Sequence, residues 1–185
     1  MIDASLVKAE EKMKASVEAL KREFTGVRTG RASPALVEHV KIDYNGVPTP
    51  LNHIAGVSVQ GTNLLVIQPW DPGALHAIEK GILKANLSLT PTSDGRVIRL
   101  AIPPLSEERR QELAKLVKKM AEEQKVIIRN IRRDAHEDMK KAEKEKEISQ
   151  DELKRGEAKL QKLTDVHILL VDQAVQGKET ELKQV

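Results

Sequence analysis

The hydrophobic residues at the start of the chain recur at intervals of three and four positions. They are Ile2, Leu6, Ala9, Met13, Val17, Leu20, Phe24 and Val27. This spacing places them in one stripe along the side of a helix. Gly30 and Pro34 then interrupt the pattern, because glycine loosens a helix and proline disfavours helical geometry in the residue before it. We therefore predict a helix over 2–27 and a domain boundary near residue 30.

A region with a different pattern follows the first helix. Segments rich in β-branched residues lie at 37–44, 56–59, 64–68 and 97–102, and they predict strands. Turns are predicted at Asn45-Gly46, Gly61 and Asp94-Gly95, and a short helix is predicted from Asp71-Pro72 through Leu83. Pro103-Pro104 ends the region, since proline fixes φ and lacks a backbone donor. The pattern indicates a small β-rich module containing one helix.

A second helical pattern runs from Ser106, a candidate N-cap, to about Ile148 without a proline or glycine. Its apolar positions include Leu113, Leu116, Val117, Met120, Ile127, Ile131, Ala135 and Ala142. About forty helical residues span about 60 Å at about 1.5 Å per residue, which exceeds the width of a compact domain of this size. Such a helix needs the support of other helices.

A third long helix is predicted to begin at Ser149-Gln150-Asp151-Glu152. This segment has the form of a capping box, in which Ser149 caps the helix and Glu152 reciprocates. The apolar stripe that follows comprises Leu153, Leu160, Leu163, Leu170, Ala174 and Leu182. We expect this helix to run antiparallel to the one before it.

These elements predict an α+β protein with two domains. None of the three long helices can bury its stripe alone, so together they form an elongated three-helix bundle. The bundle is discontinuous, with residues 1–30 and 105–185, and the β-rich α+β module over 31–104 is inserted into it. Gly30, Pro103 and Pro104 lie at the two chain crossings, where they form a hinge.

Composition excludes several classes of protein. The 185 residues are 39 % hydrophobic, 2 % aromatic and 32 % charged, a balance that favours long solvated helices. The chain has no cysteine, which excludes a disulfide scaffold, a thiol nucleophile and a cysteine-ligated metal. Charges interrupt every apolar segment before it reaches the about 18 residues of a membrane span, and the N-terminus lacks a signal-peptide pattern. We expect a soluble, cytoplasmic protein with no membrane contact.

The sequence offers no catalytic constellation. Gly26-Val27-Arg28-Thr29-Gly30-Arg31 has the wrong spacing for a phosphate-binding loop and lacks its lysine. The five histidines, His39, His53, His76, His136 and His167, show no metal-ligand spacing. His167 falls on the apolar seam of the third long helix, where a hydrogen-bonded core histidine is expected. We predict no enzymatic activity, no cofactor and no metal site.

A cationic face on the second long helix points to another function. Projected at about 100° per residue, one face carries Lys115, Lys118, Lys125, Arg129, Arg132, Arg133, His136 and Lys140, and only Glu122 interrupts it as an acid. Net charge is only +3, so this distribution matters more than the total. One interpretation is that these charges only solvate the exposed side of the helix and bind no partner. Arg129, Arg132 and Arg133, however, offer guanidinium forks that bind phosphates bidentately, which favours binding to an RNA backbone.

A second basic group lies near the predicted joint. It comprises Arg28 and Arg31, with Arg109 and Arg110 as further candidates. These side chains could form ion pairs between the domains or contact a nucleic acid, and the sequence favours neither interpretation. Because aromatic residues are few, the chain has no stacking platform for single-stranded bases, and a structured RNA read by its shape is the better match.

Several motifs resemble bacterial ribosome recycling factors along the whole chain. They are Arg28-Thr29-Gly30-Arg31-Ala32-Ser33-Pro34, Val66-Ile67-Gln68-Pro69-Trp70-Asp71, Asp94-Gly95-Arg96-Val97-Ile98-Arg99-Leu100, Pro103-Pro104-Leu105-Ser106-Glu107-Glu108-Arg109-Arg110 and Arg129-Asn130-Ile131-Arg132-Arg133-Asp134. Ser88 and Thr90 depart from the family, whose members often carry glycine and asparagine there, and His167 replaces a usually different residue.

The resemblance implies an L-shaped translation factor that acts as a monomer at the ribosomal subunit interface. With elongation factor G and GTP hydrolysis, such a factor splits the post-termination ribosome into subunits. The resemblance also implies that Arg28, Arg31, Arg129, Arg132 and Arg133 bind ribosomal RNA of the large subunit, while the smaller domain swings. The alternatives are an RNA chaperone or ribosome-associated RNA-binding protein that needs no GTPase, and then an unrelated coiled-coil interaction protein.

Overall fold

Four α-helices and six short strands, with three short 3-10 helices, make up the protein in a computed structural model that describes residues 2–183. The helices are α1 (Ile2–Thr25), α2 (Leu75–Lys84), α3 (Glu107–Lys144) and α4 (Gln150–Lys183). The strands are β1 (Lys41–Tyr44), β2 (Val47–Pro50), β3 (Ala55–Gln60), β4 (Leu64–Pro69), β5 (Pro91–Ser93) and β6 (Ile98–Ala101). The predicted α+β class is confirmed.

Contacts divide the chain into two units. Among the described residues, one unit joins 2–28 with 107–183, and Thr29–Ser106 form the other. The first unit therefore contains α1, α3 and α4, and the second contains all six strands and α2.

The first unit is a three-helix bundle in which each long helix packs against the other two. α3 and α4 are antiparallel, because Lys118 pairs with Glu179 and His136 pairs with Glu157, so that positions rise along one helix as they fall along the other. The apolar core includes Met13, Val17, Leu20 and Phe24 of α1, Leu113, Val117, Ile128 and Met139 of α3, and Leu160, Val171 and Leu182 of α4.

The buried side of α3 differs from the stripe that the sequence predicts. Leu116 and Ile127 are 43 % and 46 % exposed, whereas Ala121, Gln124 and Ile128 are buried. The prediction was wrong here because it followed apolar residues only and passed over a polar side chain at the centre of the packed face. Gln124 occupies that centre because its amide donates a hydrogen bond to Ser16 Oγ of α1.

Helix α3 ends at Lys144, earlier than the predicted end at about Ile148. Lys146 adopts φ 59°, and the N–H of Glu147 donates to the Ala142 carbonyl at 2.9 Å. This is a Schellman ending, which satisfies the last carbonyls of the helix. Ser149 Oγ then accepts from the N–H of Glu152 at 3.1 Å, so the predicted N-cap of α4 is confirmed.

The second unit contains a hairpin of β1 and β2 and an antiparallel four-stranded sheet in the order β3-β4-β6-β5. The hairpin turns at Asn45 and Gly46, which have φ 54° and 82°, as the sequence predicts. α2 places Ile78 and Ile82 in a core that also holds Leu65, Ile67, Ile98 and Leu100 of the sheet. One face of the sheet is therefore covered.

Two strands were missed by the sequence prediction, and one was drawn too long. β2 and β5 contain Pro48, Pro50 and Pro91, which argue against a strand in sequence, but both strands lie at sheet edges where a missing N–H is tolerated. Residues 37–40, predicted as strand, form turns after Pro34, whose carbonyl accepts from the N–H groups of Val37 and Glu38.

The loop between α2 and β5 contains two of the departures noted in the sequence, Ser88 and Thr90. Ser88 has φ 58°, in the left-handed region where glycine is favoured. A serine at this position therefore holds a conformation that its Cβ disfavours.

The Ser16–Gln124 pair leads to a prediction about stability. Both side chains are buried at 8 % exposure, so Ser16→Ala leaves a buried amide without its acceptor. We expect unfolding in urea to show a loss of about 1–3 kcal/mol. The double variant Ser16→Ala/Gln124→Leu removes both polar groups and should recover most of that loss. Equal unfolding midpoints for Ser16→Ala and the parent protein would show that the pair contributes nothing.

Candidate nucleic-acid interface

The cationic face predicted on α3 divides into two sets of side chains. Four of its eight residues turn toward α4 and contact polar groups there, and four point to solvent. The division follows from helix geometry, because α4 packs along one flank of α3 and reaches only the side chains on that flank.

The first set forms a ladder along the seam between α3 and α4. Lys118 Nζ lies 3.7 Å from Glu179 Oε1, Lys125 Nζ lies 2.6 Å from Asp172 Oδ1, and His136 Nε2 lies 2.8 Å from Glu157 Oε1. The hydrogen bond with Asp172 raises the pKa of Lys125. These cations are structural partners of α4, which limits what they can offer a phosphate.

Glu122 is the only acid that α3 itself places on this face, and α4 adds Glu179, Asp172 and Glu157 beside it. Projection of α3 alone cannot include acids that a neighbouring helix supplies. A signal was nevertheless present in the sequence: Lys118, Lys125 and Arg132 are spaced by seven residues. On α4, Asp165, Asp172 and Glu179 have the same spacing. Cations repeating every seven residues on one helix and acids repeating every seven on another are typical of ion pairs between two packed helices.

Arg132 is the fourth member of the first set, and its partner on α4 is uncharged. It is half-buried, its Nη1 donates to Gln161 Oε1 at 3.1 Å, and its Nε is buried without a hydrogen-bond partner. Gln161 is itself held by Asp165, whose Oδ1 accepts from its amide at 2.9 Å. The sequence projection placed Arg132 on the solvent face, and this is corrected: α4 holds one edge of its guanidinium.

The second set is an outer cationic strip comprising Lys115, Arg129, Arg133 and Lys140. All four side chains are exposed. At about 100° per residue they fall within an arc of about 40° on the side of α3 away from the core. Among the ion pairs of residues 2–183, none involves a member of the strip. Its charges are therefore available to an external anion.

The arginines of the second basic group are engaged within the protein. Arg109 Nη1 lies 2.8 Å from Glu112 Oε2, and Arg110 Nη1 lies 3.9 Å from Glu107 Oε2, so both pair with acids of α3 itself. Arg28 and Arg31 are exposed, and each already makes an interaction. Arg28 belongs to the first unit and Arg31 to the second.

The predicted hinge residues lie inside the second unit, a few residues from its boundaries at 28/29 and 106/107. Gly30 has φ 78°, which glycine adopts without strain. Pro103 and Pro104 lie between the end of β6 and the start of α3. Within the second unit, the N–H of Ala32 donates to the Thr62 carbonyl at 2.8 Å, and the N–H of Ile102 donates to the Asn63 carbonyl at 2.7 Å. Both ends of this unit are thus fastened to one loop.

The histidines do not form a site. His167 is buried at 6 % exposure, and its Nδ1 donates to the Leu163 carbonyl at 2.7 Å, so the predicted core histidine is confirmed. Over the described part of the chain, no group of three or more His, Asp and Glu residues could hold a metal ion. None of the described helices is long and apolar enough to cross a membrane.

Fold and surface together define the class of this protein: a helical bundle that carries an inserted α+β unit and an exposed cationic strip. The model of the family described as "Ribosome recycling factor" matches residues 20–182. The chain belongs to the ribosome recycling factor family, and the resemblance found in its motifs is confirmed. The family consists of non-enzymatic translation factors that act in ribosome recycling.

Individual relatives match over their whole length. The ribosome-recycling factor of Dehalococcoides mccartyi (strain ATCC BAA-2266 / KCTC 15142 / 195) is 57 % identical over 185 residues and is covered completely, as is this chain. That of Heliobacterium modesticaldum is 55 % identical over 185 residues, again with complete coverage of both chains.

Solved structures match as well. A solution structure of a ribosome recycling factor is 44 % identical, covers 100 % of this chain and 98 % of its own, and superposes with a TM-score of 0.78. A second structure contains the T. thermophilus ribosome recycling factor and E. coli elongation factor G bound to the E. coli post-termination complex. It is 44 % identical, covers 98 % of both chains and has a TM-score of 0.66.

Proposed function

We propose that this protein, together with elongation factor G and GTP hydrolysis, dissociates post-termination ribosomes into subunits. The observation that carries the proposal is the outer cationic strip in a member of the recycling family. The relative solved with elongation factor G in a post-termination complex supports the choice of partners. The chain contributes binding and force transmission, and it makes or breaks no covalent bond.

The bundle anchors the protein on ribosomal RNA of the large subunit. Arg129 and Arg133 lie one helical turn apart and are exposed, so two guanidinium groups can reach adjacent phosphates without first breaking an internal ion pair. Arg132 adds a third guanidinium, held in place by Gln161. An anchored side chain loses less conformational freedom on binding than a free one.

Arg28 and Arg31 extend the proposed RNA contact toward the chain crossing. Both side chains are exposed, although both also interact within the protein. We assign them to RNA binding on the family resemblance, and the contacts that they already make would orient them.

The second unit is the part that moves. The proposed moving domain, residues 31–104, lies within this unit and connects to the bundle only through the segment around Gly30 and the segment around Pro103 and Pro104. Because Ala32 and Ile102 are fastened to adjacent residues of one loop, the two connectors leave the moving unit side by side. A left-handed glycine in one connector and two prolines in the other allow rotation about a short axis while limiting other motions.

Subunit dissociation gives the direct test of this function. Light scattering of post-termination ribosomes should fall only when this protein, elongation factor G and GTP are all present. Omission of any one component, or replacement of GTP by a non-hydrolysable analogue, should abolish the fall. An equal fall without elongation factor G would support the alternative, a GTPase-independent RNA chaperone.

Substitution of the strip should weaken ribosome binding without affecting stability. For Arg129→Ala/Arg133→Ala we expect an affinity at least about a hundredfold lower, since two hydrogen bonds to charged groups are lost and each is worth about 1.5–3 kcal/mol. The slope of log affinity against log salt should fall by about one for each phosphate that the variant no longer neutralises. The thermal midpoint should not change, because both side chains are exposed.

Arg155 provides the matched control for the strip. It is an exposed arginine of α4 that projects about 160° away from Glu157, the residue that contacts α3. Arg155→Ala should leave both the affinity and the salt slope unaltered. The strip would lose its assigned role if all variants bound ribosomes with the same salt dependence as the parent protein.

The proline connector should matter for dissociation more than for binding. Each proline-to-glycine change raises chain entropy by an amount worth up to about 1 kcal/mol, so Pro103→Gly/Pro104→Gly should lower the dissociation rate by up to about 30-fold. Affinity for ribosomes should stay the same, because the bundle is unchanged. Pro91→Gly, on an edge strand of the moving unit, serves as the control. A normal rate for the connector variant would exclude a stiff hinge.

A further inference from the structure

Trp70 is the one tryptophan of the chain, and it is 68 % exposed. It follows directly after Pro69, the last residue of β4. Exposed tryptophan is uncommon in a protein surface, because the indole is among the largest apolar groups, whereas it is enriched where proteins bind one another. An exposed indole in a chain with 2 % aromatic residues is therefore a candidate contact point.

The backbone on both sides of Trp70 is fixed. The N–H of Trp70 donates to the Ile54 carbonyl at 3.1 Å. The next residue, Asp71, accepts from the N–H of Gly73 through Oδ1 at 3.0 Å and from the Tyr44 hydroxyl through Oδ2 at 3.0 Å. The indole is thus carried on a rigid part of the unit and needs little ordering when a partner binds.

The indole lies next to a glycine on the neighbouring strand. A Cβ atom added at Gly56 would lie 3.8 Å from Trp70 Nε1, so the ring edge passes close to the bare backbone of β3. A cleft of about 440 Å³ opens beside it, lined by Gly56, Val57, Ser58, Gln68, Pro69 and Trp70. Its lining combines an aromatic wall with amide and hydroxyl groups, which is typical of adaptable protein-binding surfaces.

This cleft belongs to the face of the four-stranded sheet opposite the core, called here the outer sheet face. The strand register and alternation place Gly56, Ser58 and Gln60 of β3, Val66 and Gln68 of β4, Thr92 of β5 and Arg99 of β6 on this face. Among these positions Arg99 is the only cation. Its Nη1 lies 2.8 Å from Asp94 Oδ2, so its charge is already compensated.

Hydrogen bonds stabilise the ionised form of Asp94, the partner of Arg99. Hydrogen bonds from the N–H groups of Val97 and Arg96, with a further one from Arg99, hold the pKa of its carboxyl far below the usual range. The outer sheet face therefore presents no free positive charge. Since binding to a phosphate backbone depends on free cations, this face is suited to a protein and unsuited to RNA.

We infer that the outer sheet face around Trp70 docks elongation factor G through an uncharged surface that inserts an apolar side chain beside the indole. The inference rests on the proposed function, in which the GTPase drives the second unit while the bundle holds RNA. The two surfaces differ in chemistry. The strip has unpaired arginines, which suit an RNA backbone, and the outer sheet face has one large aromatic group and no free positive charge, which suit a protein. Trp70 Nε1–H remains a donor for a carbonyl of the GTPase.

The test measures the dissociation rate of post-termination ribosomes as elongation factor G is titrated. Truncation of a central tryptophan at a protein interface costs a factor of about 30 in affinity, so Trp70→Ala should need about 30-fold more elongation factor G for half-maximal rate. Trp70→Phe keeps an aromatic ring but lacks the indole donor. Its requirement for elongation factor G should lie between those of the parent protein and Trp70→Ala. Affinity for ribosomes alone should be the same for all three proteins.

Leu83→Ala is the matched control. Leu83 is a large apolar residue of the same unit that is 60 % exposed, but it belongs to α2, which packs on the covered face of the sheet. Its truncation should leave the requirement for elongation factor G unchanged. An equal effect of Leu83→Ala and Trp70→Ala would overturn the assignment to the outer sheet face.

The single indole also permits a direct readout in the intact protein. With 5-hydroxytryptophan at position 70, acrylamide quenching should drop when elongation factor G and a non-hydrolysable GTP analogue join the ribosome-bound protein. Quenching that already drops with ribosomes alone would show that the face contacts the ribosome, and this overturns the inference. This readout decides the matter even if Trp70→Ala fails to fold.

The outcomes separate this inference from the function on which it rests. If the parent protein dissociates ribosomes and Trp70→Ala has the same dependence on elongation factor G, the docking surface is wrong and the proposed function stands. If the parent protein dissociates no ribosomes under any condition, both are wrong.

Discussion

The bundle depends on one constraint: α3, with 38 residues, has to pack against two helices at once. Contact with α1 buries Gln124 against Ser16, and contact with α4 directs Lys118, Lys125 and His136 into pairs with acids. Only the remaining arc of α3 is left for another purpose. The outer cationic strip consists of exposed α3 cations that form no ion pair with α1 or α4 among the described residues. Its members can therefore be identified only when the packing of α3 is known.

The paired and unpaired cations of α3 have different physical roles. An exposed pair such as Lys118 with Glu179 contributes little to stability, since exposed ion pairs are worth about 0–1 kcal/mol. Their seven-residue spacing instead sets how α4 lies against α3, as charged flanks do in other helix seams. Arg129 and Arg133 lack such partners, so binding a phosphate does not require these helix contacts to open.

The insertion separates two kinds of surface within a short chain. The bundle carries unpaired arginines, and the second unit carries an exposed aromatic group on a sheet face without free positive charge. Ala32 and Ile102, near the two ends of that unit, donate hydrogen bonds to Thr62 and Asn63, so these ends are held side by side. Such a division suits a factor that binds one partner firmly and responds to another.

The amino-acid sequence by itself determined the elements and their class. Apolar spacing of three and four placed α1, Ser149 marked the start of α4, Asn45-Gly46 marked a hairpin turn, and the motifs identified the family. These features are local, because capping, turn geometry and helical periodicity depend on residues within a few positions of one another.

Tertiary structure decided the features that depend on neighbours distant in sequence. β2 and β5 exist because their prolines fall at sheet edges, and edge position is a property of the sheet. Gln124 is buried while Ile127 is exposed because Ser16, 108 positions away, supplies a hydrogen bond. Arg132 and Arg133 are adjacent in sequence, yet one is held by Gln161 and the other is exposed, because α4 lies on one side of α3 only. Which cations are paired is therefore decided by packing, which no single helix can reveal.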